Sequence, residues 1–181
     1  MKRKLFFLIL FALMALDMPA NAFDGKRKGF VIGMGVGVAP MLKWSRSGDD
    51  ASETKSAFIL SWPVGYCWDQ RNIIAYSVSI SSFNSELLGR VGTMQGIWSL
   101  RWYHCFGEPG RSVIASLGPG RMLFNASNGL HASGFGFTAG VGYEFVRHFQ
   151  FELSYAAGRT SRDREDFNHQ ILTLQVVGTL Y

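Results

Sequence analysis

GFGFTAGVGYEF, residues 134–145, sets small residues, mostly glycine, at alternate positions and large apolar residues at most of those between. Phe135, Phe137, Ala139, Val141 and Tyr143 fall on one face of an extended chain, and Gly134, Gly136, Thr138, Gly140, Gly142 and Glu144 on the other. Glycine in a strand costs backbone entropy and contributes no packing. A bare face repeated over a whole strand therefore points to a place where there is little room.

The same period-2 alternation recurs in eight segments, residues 29–40, 57–66, 73–83, 94–105, 112–123, 134–145, 149–158 and 169–181. Each is close to the ~9–11 residues a tilted strand needs to cross a hydrocarbon layer. Phe30, Ile32, Met34, Val36 and Val38 oppose Gly33, Gly35, Gly37 and Ala39. Ile74, Tyr76, Val78 and Ile80 oppose Ala75, Ser77, Ser79 and Ser81. Trp98, Leu100 and Trp102 oppose Ser99, Arg101 and Tyr103, while Phe149, Phe151, Leu153 and Tyr155 oppose Gln150, Glu152, Ser154 and Ala156. A soluble barrel buries its large apolar side chains inside. Here the small and polar face fits a narrow eight-stranded lumen, the large face fits lipid, and closure satisfies every backbone hydrogen bond. The fold expected is all-β, a membrane-spanning eight-stranded antiparallel up-and-down β-barrel.

The start of the chain agrees with export. Lys2, Arg3 and Lys4 precede an apolar run from Leu5 to Leu16 and the small-x-small pattern Ala20-Asn21-Ala22. The run is short of the ~20 residues of a membrane-spanning helix, so residues 1–22 read as a cleaved signal peptide and residues 23–181 as a single barrel domain. Without Lys2, Arg3, Lys4 and Asp17 the mature part holds 15 basic and 12 acidic residues, a net +3. That balance is too mild for a nucleic-acid partner. Nothing in the sequence calls for a cofactor or a metal.

The breaks between segments alternate in length. Residues 41–56, 84–93, 124–133 and 159–168 read as long polar loops, and 67–72, 106–111 and 146–148 as tight turns. Outer-membrane barrels show this asymmetry, with tight turns toward the periplasm and long loops outside. The basic residues Lys26, Arg27 and Lys28 precede the first strand and are placed at the periplasmic surface.

The strand pair GFGFTAGVGYEFVRHFQFELSY (134–155), the signal sequence, the eight strands and the terminal Tyr181 together resemble the OmpA/OmpX-type small outer-membrane β-barrel family. The resemblance implies location in the bacterial outer membrane of a Gram-negative cell, with outer-membrane lipid, lipopolysaccharide and the barrel-insertion machinery as partners. In that family the last strand ends in an aromatic residue in phase with its outward side chains. Here Leu172, Leu174, Val176 and Leu180 share one face and Tyr181 the other, so either a bulge restores the phase or the signal is imperfect.

Arg101, Glu144, Glu152, Gln150 and Gln175 are the polar candidates for the lumen. Charges there are tolerable only when paired, and Arg101 with Glu144 or Glu152 is the pair expected. Such residues form a structural plug or, alternatively, a polar path for small solutes. Cys67 and Cys105 fall at the short-turn end on the lumen side, and a disulfide between them is expected in an oxidising compartment, although a third strand lies between theirs. Two separate thiols are the alternative. Trp62, Tyr66, Trp68, Trp98, Trp102, Tyr143 and Tyr155 cluster toward strand ends, as interfacial girdles do.

His131, Ser133 and Glu144 are the residue types of a lipid A deacylase site. Glu144 lies roughly ten residues, over 30 Å at strand rise, from the other two, which argues against a triad. His169 is the other histidine on the outer side. No enzyme is therefore expected. The leading functional reading is a surface-interaction scaffold that meets an extracellular ligand through loops 41–56, 84–93, 124–133 and 159–168. A narrow channel, or a lipid A-modifying enzyme, stands as the alternative.

Overall fold

In the computed structural model, which describes residues 26–47, 52–162 and 165–181, eight strands form a closed antiparallel barrel in which sequence neighbours are hydrogen-bonded neighbours. They are β1 (Gly29–Arg46), β2 (Ser52–Cys67), β3 (Asn72–Ser85), β4 (Val91–Cys105), β5 (Ser112–Ala126), β6 (His131–Val146), β7 (Phe149–Arg162) and β8 (Glu165–Leu180), with β8 closing on β1. The segment expected to be a signal peptide, residues 1–22, lies outside the described residues.

The faces fall as the alternation requires. Phe30, Met34, Val36, Tyr76, Trp98, Leu100, Phe151 and Leu153 stand outward and exposed, while Ala75, Ser77, Ser99, Arg101, Glu152 and Ser154 are buried inside. Phe135, 71% exposed, joins Phe137, Val141, Tyr143, Leu117 and Tyr155 in a continuous apolar wall larger than a protein shows to water. On the inner face of β6, a Cβ added at Gly140 would lie 3.1 Å from the Arg101 guanidinium and 2.9 Å from Ser154 Cβ. One added at Gly136 would lie 3.1 Å from Met122 and 3.2 Å from Ile97. The bare face of residues 134–145 is thus the room that Arg101 and Met122 occupy.

Two expectations fail. The four segments read as long loops are largely strand: what separates consecutive strands at that end is residues 47–51, 86–90, 127–130 and 163–164. The tight turns at the other end, 68–71, 106–111 and 147–148, are of similar length. Hydropathy cannot separate a polar loop from a paired strand that has risen out of the lipid into water.

The second failure lies inside the barrel. Register shifts between Ala39 and Leu42 against β2, and between Val38 and Met41 against β8, bracket Pro40, which has no N–H to give to a ladder. This bulge resets the side-chain phase: Val31, Gly35 and Ala39 point inward before it, Leu42 and Trp44 after it. Large apolar side chains thereby enter the upper lumen, which is not lined by small and polar residues alone.

Candidate functional site: a lumen filled in tiers

The interior is built in layers. At the outer mouth Trp44, Phe124 and Phe167 pack with Ala132, and Phe83, Leu88 and Leu130 lean on them. The Trp44 and Phe124 rings are 5.1 Å apart and those of Phe124 and Phe167 5.7 Å, tilted in both pairs. Trp44, only 1% exposed, donates its indole N–H to Glu53 Oε2 (3.1 Å). Glu53 also accepts from Ser85 Oγ (2.5 Å) and the Glu86 backbone N–H (2.7 Å). His169 lies against Phe124, the rings tilted with centroids 5.0 Å apart, and bonds Thr160 Oγ1 through Nε2 (2.8 Å). Below lies an apolar layer of Ala39, Ile97, Met122, Ala156 and Ile171.

The middle tier holds four of the five polar lumen candidates. Arg101 and Glu152, each 3% exposed, pair at 2.7 Å. The same guanidinium donates to Ser116 Oγ at 2.5 Å and lies 4.8 Å over the Tyr103 ring. Gln150 Nε2 donates to Glu152 Oε2 (3.3 Å), Gln175 Oε1 accepts from Ser61 Oγ (2.8 Å), and Ser154 bonds Thr173 (2.6 Å). Of the two carboxylates considered for Arg101, the structure uses Glu152.

Glu144 belongs to a third tier at the inner mouth, with partners that the strand pattern missed. Arg27 folds into the barrel end, 1% exposed, and forms an ion pair with Glu144. Its guanidinium also donates to the backbone oxygens of Gly107 (2.9 Å), Gln70 (3.4 Å) and Glu108 (3.4 Å). Glu144 accepts further from the Tyr181 hydroxyl (2.5 Å) and the backbone N–H groups of Gly110 (2.9 Å) and His148 (3.2 Å). Arg27 is therefore a plug and not a surface residue, which corrects its placement with Lys26 and Lys28. Its phase was legible: residue 27 lies on the inward parity of Val31 and Gly35.

No bulge restores the phase of Tyr181. The one β1–β8 register shift, at Pro40, puts its extra residue on β1; from Val38↔Leu174 to Ile32↔Leu180 the register runs unbroken, and Tyr181 ends inside the barrel, 2% exposed. Between this tier and the middle one lies a cavity of ≈ 30 Å³ lined by Arg27, Tyr103, Cys105, Glu144, Gln150 and Tyr181 among others, room for about one water.

Cys67 and Cys105 are buried at this end as free thiols, and the disulfide is not formed. β3 runs between their strands, and its Ile73 packs both on the cluster holding Cys67 and on the one holding Cys105. Trp62, Tyr66, Trp68, Trp98, Trp102, Tyr143 and Tyr155 are all exposed on the outer wall. Trp102 Nε1 reaches Asn72 Oδ1 (3.1 Å) at the inner end. In the adjoining turn Asp69 accepts from Asn72 Nδ2 (2.8 Å) and from the N–H groups of Arg71 and Asn72 (2.7 Å each). These bonds, the Asn72 side chain foremost, hold its carboxyl below the ordinary carboxylate range.

The residues of the deacylase reading do not meet. His131 bonds Asn125 (3.0 Å), Ser133 Oγ accepts from Arg121 (2.8 Å), and Glu144 is tied to Arg27 at the opposite end. Among the described residues no group of His, Cys, Asp and Glu side chains is arranged to hold a metal.

No family model matches the sequence, and no curated protein matches it. Solved structures do. Neisserial surface protein A aligns over 83% of this chain and 96% of its own, with 15% identity and a TM-score of 0.55. OprG of Pseudomonas aeruginosa aligns over 87% and 97%, with 16% identity and a TM-score of 0.48. Ail of Yersinia pestis aligns over 83% and 99%, with 15% identity and a TM-score of 0.48. With its closed ring of eight strands, its apolar outer wall and this likeness, the chain has the fold of the small eight-stranded outer-membrane β-barrels.

Proposed function

We propose that the protein sits in the bacterial outer membrane as a non-conducting scaffold that presents a rigid collar to the cell surface. The observation that carries this reading is the filled lumen. An aromatic tier, an apolar layer, the Arg101–Glu152 pair and the Arg27–Glu144–Tyr181 tier follow one another along the axis. An eight-stranded barrel has an interior that side chains can fill, and here they do.

The collar replaces the long loops first expected to make the contacts. It consists of the strand ends above the lipid, tied across by Lys55–Glu86 (2.8 Å), Arg46–Glu165 and Arg159–Asp166, and by Arg162 on the Gly129 carbonyl (2.5 Å). Exposed ion pairs of this kind add little stability. They do offer alternating charges to lipopolysaccharide or to a molecule outside the cell.

The test is reconstitution into planar bilayers with lipopolysaccharide in one leaflet. No unitary conductance steps are expected, together with retention of lipopolysaccharide that falls when Arg46, Arg159 and Lys55 are changed to alanine. Discrete channel openings by the wild-type protein would overturn the reading in favour of a channel.

A further inference from the structure

The outer wall is not uniformly covered. Gly178 lies on the outward phase of β8, opposite Met34 of β1 and Phe149 of β7. Around it an open groove of ≈ 710 Å³ runs along the β1–β8 seam, walled by Met34, Trp62, Phe149 and Leu180. That volume is in the range of small-molecule sites, roughly 300–1,000 Å³. The lining is almost wholly apolar until its inner end, where His148 closes it. The His148 ring is fixed there by Nδ1 on the Thr179 carbonyl (2.9 Å) and by the Tyr181 ring at 4.7 Å.

The end of the barrel where β1 begins and β8 ends is basic. Exposed Lys26, Lys28, Arg71, Arg111 and Arg147 outnumber the acidic Asp69 and Glu108 there. Arg147 precedes His148 in the two-residue turn that joins β6 to β7, one strand away from the groove. A hydrocarbon slot ending at a cationic rim is complementary to one class of molecule in a membrane, a glycerophospholipid with an anionic headgroup. Such lipids are drawn to basic residues near the surface by about 1 kcal/mol per Lys or Arg.

The geometry points to a specific site for an anionic glycerophospholipid, one acyl chain lying over Gly178 between Phe149 and Trp62 and the phosphate facing Arg147 and His148. The site rests on the membrane reading above. It belongs to the leaflet on the side where β1 begins and β8 ends, and not to the collar.

Native mass spectrometry of the detergent-folded protein, titrated with phosphatidylglycerol and in parallel with phosphatidylcholine, tests it. One phosphatidylglycerol should survive where phosphatidylcholine is stripped. Gly178→Leu should weaken retention by about tenfold, since the new side chain displaces a few methylenes of the lipid. Arg147→Glu should abolish the preference between the two lipids. A Cβ at position 178 would be 3.4 Å from the Phe149 ring, ordinary contact, and Met34→Trp fills the same groove from β1 should Gly178→Leu not fold. Equal retention of both lipids by the wild type, unchanged retention by folded groove-filled variants, or a dimer that these variants dissociate would overturn the site. Failure of the wild-type protein to insert into vesicles at all would instead remove the membrane reading on which it stands.

Discussion

Removing Glu152 should be far more damaging than removing Glu152 and Arg101 together. In Glu152→Leu the Arg101 guanidinium, buried in the middle tier, keeps only the Ser116 hydroxyl and the Tyr103 ring face, and in Arg101→Met the Glu152 carboxylate keeps only the Gln150 amide. A buried charge stripped of its partner costs about 3–5 kcal/mol, some two to three and a half powers of ten in the folding equilibrium at about 1.4 kcal/mol each. In Arg101→Met/Glu152→Leu no charge is left to desolvate and the volume is roughly kept, so the double variant should lie within about 1 kcal/mol of wild type or above it. The coupling energy from the cycle is then at least about 2 kcal/mol. Urea titration in detergent micelles measures it, with the fraction of heat-modifiable band on unboiled electrophoresis as the signal. Should both single substitutions cost under about 1 kcal/mol, the pair would be behaving as a solvated one. The lumen would then be wet, and the non-conducting reading would lose its footing.

Four other outcomes follow from the tiers. Unboiled protein should migrate faster than boiled protein, identically with and without reductant, because Cys67 and Cys105 are unbonded; a redox-dependent shift would contradict this. A polar maleimide should modify neither thiol in the folded barrel and both in urea. Gly140→Val should cost about 1–3 kcal/mol through overpacking against Arg101 and Ser154, read by the same urea titration, and the cost should shrink when Arg101 is also Met. Tyr181→Phe, which takes a hydroxyl from a buried carboxylate, should cost about 1.5–3 kcal/mol; a neutral result would mean that Glu144 is satisfied by Arg27 and the turn N–H groups alone.

Strand number, strand faces and the buried polar set were legible because the alternation of Gly136 against Phe137, or Arg101 against Trp102, is a direct projection of two unlike environments onto a period of two. The inner ends of the strands were legible too, since β3 to β7 begin or end there within a residue of the pattern. The outer ends were not. Trp44, Phe124 and Phe167 sit on polar-flanked strand extensions, and Trp44 follows a bulge that inverts the phase, so no single period links it to Gly33 or Gly35. Arg27 precedes the first strand and showed itself only by parity. Its need was visible all the same, because Glu144 inside a barrel demanded a cation once Arg101 had been given to Glu152. Parity places the two thiols on one face but does not decide between a bond and separate thiols; in the structure they are free, and Ile73 of the intervening strand packs on both their clusters.

Glu144 gathers both ends of the strand ring: Arg27, just before β1, reaches it across 117 residues and Tyr181, just after β8, across 37. The Arg27 contact has no geometry until β8 has zipped onto β1 and the ring has closed. A clasp completed only by closure should slow unfolding without speeding folding. Its contribution is to residence time: a barrel that assembles no faster for having Arg27 and Tyr181, but stays closed longer once it has them.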